Sequence, residues 1–156
     1  MAGRLADEIK QTRPFTSLEG EAVLNLMRTS EAALQSSNLV LKQFDLMLTQ
    51  FNVLRILCGA VTHGIACSEL AERLVARDPD ITRLLDRMEQ KRLVRRSRDL
   101  TDRRIVVAMH TPEGLAILKA AEAPLRKNME RIMSALSRQE VLTLIENLER
   151  IRAILS

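Results

Sequence analysis

Between Asp78 and Thr111 the chain spells out one amphipathic helix and then two strand-like runs crowded with arginine. Asp78-Pro79 has the form of a helix opening, with a carboxylate to accept free N–H groups and then a proline where no N–H is needed. Ile81, Leu84, Leu85 and Met88 follow at helical spacing and make a single buried stripe. The opposite face carries Thr82, Arg83, Asp86, Arg87 and Gln90, side-chain types that reach both phosphates and base edges. Leu93–Arg98 and Ile105–Met109 then read as strands on either side of the polar loop Asp99–Arg104.

Charge bears on the same segment. From Lys91 to Arg104 there are seven basic and two acidic residues, while the whole chain carries only +4. The basicity is therefore local. Alone, a charge run is as well explained by a solvated face. Joined to the helix before it, the run predicts a winged helix-turn-helix that grips duplex DNA, because phosphate neutralisation supplies most non-specific nucleic-acid affinity.

With 156 residues and 46% hydrophobic content there is room for one ordinary domain, or a small domain plus an oligomerisation element. Three Phe, no Tyr and no Trp argue against an aromatic platform for single strands. No apolar run is long enough to span a bilayer and the N-terminus lacks a signal-peptide core, so a cytoplasmic protein with no membrane partner is expected. Cys58 reads as a small core hydrophobe. Cys67, just before a helix start at Ser68, is placed where the helix dipole lowers a thiol pKa. Cys58, His63 and Cys67 lie close enough in sequence to raise metal or redox sensing as an alternative, although their spacing matches no zinc pattern. His63, before Gly64, also suits the closing turn of a helix. The chain has no phosphate-binding loop, no nucleophile elbow and no dinucleotide fingerprint, and only two histidines. Neither catalysis nor a cofactor is expected.

The rest of the chain is mostly helical seams. Residues 1–17 form a mixed arm. From Leu18, Val23, Met27, Ser30, Leu34, Ser37 and Leu41 alternate steps of four and three, and the pattern breaks over Lys42–Leu48. A second helix spans about Thr49–Thr62, and Ile65–Cys67 fits a very short strand. A third helix, capped by Ser68, turns Leu70, Ala71, Leu74 and Val75 inward, and Ala76-Arg77 connects it to the Asp78 helix. Thr111-Pro112-Glu113 opens a further helix with Leu115, Leu118, Glu122, Leu125, Met129, Ile132 and Leu136 in three-four alternation and Pro124 as an expected bend. Ser137 with Glu140 forms a capping box for a last helix striped by Val141, Leu144, Ile145, Leu148, Ile151 and Leu155. The organisation expected is mainly α: an N-terminal arm and dimerisation helix (1–47), a winged helix-turn-helix (48–110) and C-terminal dimerisation helices (111–156). Leu125, Met129, Ile132, Leu144, Leu148, Ile151 and Leu155 are the expected interface of a homodimer that reads a pseudo-palindrome. The alternative is that both seams pack within one subunit.

In order along the chain, Leu48–Leu57, Glu69-Leu70-Ala71, Asp78–Glu89, Leu93–Arg96, Asp102-Arg103-Arg104 and Thr111–Ala116 resemble the MarR family of bacterial transcription regulators. The likeness runs over about Leu18 to Ser156. It implies a homodimeric regulator that represses or activates transcription, often releasing DNA when a small aromatic or anionic ligand binds between the dimerisation helices and the DNA-binding lobe. Carried onto this chain, it makes Thr82, Arg83 and Arg87 the groove and phosphate contacts and Ser68 a phosphate contact. Arg104 becomes the wing arginine that enters the minor groove, oriented by Asp102 unless Asp102 is only a turn residue. Arg98 and Arg103 complete the expected DNA-contacting set. Two departures stand out: Arg92 where the family often has glycine, and no cysteine near the start of the first long helix, where the family's redox sensors carry one. A ligand-independent DNA binder and a regulator responding through Cys67 remain as alternatives.

Overall fold

The computed structural model describes residues 4–60, 63–75 and 80–155. The backbone divides into two compact units, Met1–Ser36 and Ser37–Ser156. The first holds the short helix α1 (Arg4–Glu8), followed by Lys10 in a left-handed conformation (φ 52°), and most of α2 (Leu18–Leu41). Ser17 caps α2 by accepting the Gly20 N–H at 3.0 Å. Of the expected α2 seam, Val23, Met27 and Leu34 are exposed, whereas Ser37 and Leu41, beyond the unit boundary, are buried. The seam is thus two surfaces, not one.

In the second unit a 3-10 turn (Lys42–Phe44) breaks the helical pattern where the sequence predicts, and Asp45 reverses the chain at φ 54°. Helix α3 (Leu48–Cys58) follows, then β1 (Ile65–Ala66), α4 (Cys67–Arg73), α5 (Ile81–Gln90), β2 (Val94–Arg98), β3 (Val106–His110), α6 (Pro112–Met133) and α7 (Arg138–Leu155). The sheet order is β1-β3-β2, antiparallel throughout, with Ile65 opposite Ala108 and Arg96 opposite the same residue from the other side. One core joins Leu41, Phe51, Leu54, Leu57, Leu70, Leu84, Leu85, Met88, Val94, Leu118 and Leu125. It lies under α5 and the sheet and gives both a fixed base.

Several expectations change. Leu125, assigned to the dimer seam, is 2% exposed and belongs to this core, because α6 turns that side chain toward α3 rather than outward. Cys58 is exposed, because α3 ends there while its buried stripe runs through Phe51, Leu54 and Leu57. Val75 is exposed as well: α4 stops at Arg73 and Leu74 takes an extended conformation, so Val75 no longer follows the helical stripe. Ser68 sits inside the first turn of α4 instead of capping it. Asp78-Pro79 and the linker Ala76-Arg77 lie outside the described residues, as do Val61 and Thr62. The cap on α5 is Asp80, whose carboxylate accepts the Arg83 N–H at 3.0 Å. Helix α6 continues through Pro124.

The caps that open the last two helices match the sequence. Thr111 accepts the Gly114 N–H at 3.0 Å, and Ser137 and Glu140 exchange backbone and side-chain hydrogen bonds. Thr111 also donates to the Arg92 carbonyl at 2.6 Å, tying the start of α6 to the turn after α5. Gly114 presses on that turn so closely that a Cβ would stand 2.1 Å from the Leu93 oxygen. No larger residue fits there without moving backbone.

Candidate nucleic-acid interface

Helix α5 is planted in the core by Leu84, Leu85 and Met88, with Ile81 half-buried. That leaves Thr82, Arg83, Arg87 and Gln90 exposed, the face the sequence marks as polar. Arg83 is held at its base by Asp80, Nε to carboxylate 2.9 Å, and its carbonyl accepts Arg87 Nε at 3.3 Å. Both guanidinium groups still face solvent, as they must to meet phosphates or base edges.

Asp86 has a different job from the one its position on the polar face implies. Arg96 of β2 reaches across to α5 and bonds to the Asp86 carboxylate, while the Glu89 carboxylate accepts Arg96 Nη2 at 2.9 Å and the Arg96 backbone N–H, also at 2.9 Å. Hydrogen bonds from Arg96 hold the Glu89 carboxyl below its ordinary pKa, and the bonds to Glu89 and Asp86 raise Arg96 against its partial burial. The clasp fixes the wing to the reading helix and removes two carboxylates from the competition for phosphate. In the sequence Arg96 reads only as one more basic residue of the run. The signal was strand parity: Arg96 lies two residues from buried Val94 and shares its face.

Beyond the clasp, the wing loop is stiffened by its own polar groups. Asp99 accepts the N–H groups of Thr101 at 2.8 Å and Asp102 at 2.9 Å, which lowers its carboxyl pKa. The Asp99 N–H donates to the Ile105 carbonyl at 2.9 Å, and Ile105 N–H to Asp102 at 3.0 Å. Asp102 takes Arg104 in a two-pronged grip, Nε at 3.2 Å and Nη2 at 3.3 Å, and accepts its backbone N–H at 3.0 Å. The Arg104 bonds hold the Asp102 carboxyl low, so the pair stays ionised. Arg98 bends back to donate to the Arg103 carbonyl at 2.9 Å. Arg98, Arg103 and Arg104 are all exposed on this hairpin.

At the other end of α5, Lys91 donates to both the backbone and side-chain oxygens of Asp45 at 2.8 Å, anchoring the helix to the turn before α3. Arg92 occupies the left-handed region at φ 58°, so the departure from glycine leaves the turn conformation in place, at a cost of about 1 kcal/mol.

The sensing alternatives lose support here. Burial pushes the Cys67 thiol above its ordinary pKa, with the Arg96 charge opposing, which is the reverse of the expected activation. Among the described residues no three His, Cys, Asp or Glu side chains come together as a metal site needs, so Cys58, His63 and Cys67 do not form one. No described helix is long and apolar enough to cross a membrane.

A helix standing polar face outward on a three-stranded winged sheet, with arginines on both, defines the class: a winged helix-turn-helix protein. A MarR family model matches residues 46–106, the stretch from the turn before α3 to the first residue of β3. The chain is 38% identical to a MarR transcription factor from Planctomyces limnophilus whose crystal structure it matches with a TM-score of 0.67, over 86% of this chain and 98% of that one. It is 33% identical over 88 residues to the HTH-type transcriptional repressor MdtR of Bacillus subtilis, 56% of this chain and 57% of that protein. Against the S. aureus MepR–DNA complex the identity is 25% and the TM-score 0.75, covering 83% of this chain and 95% of that one. The chain belongs to the MarR family of transcription regulators; it is not an enzyme.

Proposed function

We propose that this protein is a cytoplasmic homodimer that represses nearby genes by holding a pseudo-palindromic operator until a small ligand releases it. The observation that carries the reading is the Arg96 clasp, which locks reading helix and wing together with Thr82, Arg83, Arg87, Arg98, Arg103 and Arg104 exposed on them. On this reading Thr82, Arg83 and Arg87 enter the major groove, Ser68 meets a phosphate, and Arg104, oriented by Asp102, lies in the flanking minor groove. The relatives that support it are MdtR, a repressor, and MepR, which was solved on DNA.

Dimerisation is supported by what α7 lacks. It has no buried side chain, and Ile145, Ile151 and Leu155 are exposed along it, with Met129 uncovered on α6. Met129, Ile132, Leu144, Leu148, Ile151 and Leu155 therefore remain the proposed seam. The working division is 1–47 and 111–156 for assembly and 48–110 for DNA. Ligand release is supported by a cleft of about 740 Å³ between α3 and α6, with Phe51 and Met129 as apolar lining and Arg55, Lys119 and Arg126 beside Glu122. Three cations around an apolar wall suit an aromatic acid.

Footprinting on the DNA upstream of the protein's own coding region, with and without phenolic acids, tests this. Protection of two half-sites about 34 Å apart, lifted by one of the acids, is the expected result. No protection at low salt overturns the DNA reading. Protection that no ligand alters, with no ligand-dependent thermal shift, leaves a ligand-independent binder.

A further inference from the structure

The wing ends on a leucine. Leu100, at the tip of the β2–β3 loop, is 96% exposed, more than any other large apolar side chain among the described residues. The backbone on both sides of it is fixed by Asp99 and its bonds to Thr101, Asp102 and Ile105. A side chain on so ordered a support loses little further freedom on binding. Arg98, Arg103 and Arg104 are exposed on the same hairpin, a concentration of positive charge that draws a polyanion.

Resting on the duplex-DNA reading above, we infer that Leu100 is a specificity-determining residue that excludes G·C pairs from the minor groove beneath the wing. The floor of an A·T minor groove offers only acceptors, adenine N3 and thymine O2, and G·C adds the guanine N2 amino donor. The Arg104 guanidinium has donors for those acceptors but no acceptor for an amino group. Water usually supplies that acceptor. A leucine seated beside Arg104 displaces the water and leaves the guanine amino group unsatisfied, whereas at A·T it packs on deoxyribose and the adenine edge. Arginine alone favours a narrow groove; leucine beside it makes the amino group costly.

The test uses the full-length protein and a duplex selected from a random library, prepared with A·T, G·C or inosine·C pairs under the wing. Inosine keeps the major-groove edge of guanine and lacks the amino group. The wild type is expected to bind A·T and inosine·C flanks alike and G·C flanks about tenfold more weakly. Leu100→Ser should bring that ratio to about twofold, with the dependence on salt unchanged because no charge is lost, and with the same melting temperature. An unaltered ratio in Leu100→Ser overturns the inference, as do inosine·C flanks binding as weakly as G·C. So does a variant that changes only the association of subunits. Failure of the wild type to select any duplex overturns the DNA reading itself, a separate result from failure of Leu100 to discriminate.

Discussion

The Asp102–Arg104 pair shows how two residues divide a task. Asp102 lends no affinity of its own for a polyanion, since its charge has the wrong sign. Its two-pronged grip holds the Arg104 guanidinium in one plane while leaving the remaining donors free. Arg104→Ala should weaken operator binding by about 1–3 kcal/mol and relax preference in the flanking minor groove, as read by titration against flank variants. Unchanged affinity would remove the wing from the interface. That pairing is legible in the sequence because the partners are two residues apart. Gly114 is different: only the close approach of Leu93 across 21 positions explains why no side chain stands there.

Among the elements, α5 and the wing behave as one body because of Arg96. Glu89 has a folded-state pKa below its ordinary value, so its share of the clasp is complete above about pH 4.3, the usual glutamate value, and is lost as pH falls through the lower folded value. Arg96→Met should cost only about 1 kcal/mol at neutral pH, because both carboxylates are partly exposed and water screens the pair. The difference in stability between wild type and variant should shrink on acidification, as measured by denaturant melts from pH 7 to pH 3. A constant difference would show that the methionine acts by packing and not by charge. Operator binding should fall as well, since the hairpin loses its fixed angle to the helix and Asp86 and Glu89 regain uncompensated charge beside the phosphates.

At the scale of the whole molecule, the decisive feature is apolar surface left uncovered within each unit. In the first, Val23 and Met27 face solvent; in the second, Ile145, Ile151 and Leu155 do. Such stripes are costly to leave in water, and in the homodimer proposed above a second copy covers them. Leu148→Asp should yield monomers in sedimentation velocity and abolish operator binding, because the seam would have to bury an unpaired carboxylate. A stable dimer in that variant would move the interface elsewhere.

What the sequence by itself determined were the features written in neighbouring residues: the buried stripe of α5, the caps at Thr111 and Ser137, the basic hairpin, and the family pattern that runs through them. These depend on periodicity and on hydrogen bonds three residues apart, so local order suffices. Only the tertiary structure decided which side of each seam was already taken. Leu125 and Leu41 repeat at the same spacing as Met129 and Val23, yet two are core and two are surface. Periodicity states that a face is apolar, and it is the neighbouring element that settles what covers it. Arg96 became a clasp for the same reason, since its partners Asp86 and Glu89 meet it only once the hairpin has folded back on the helix.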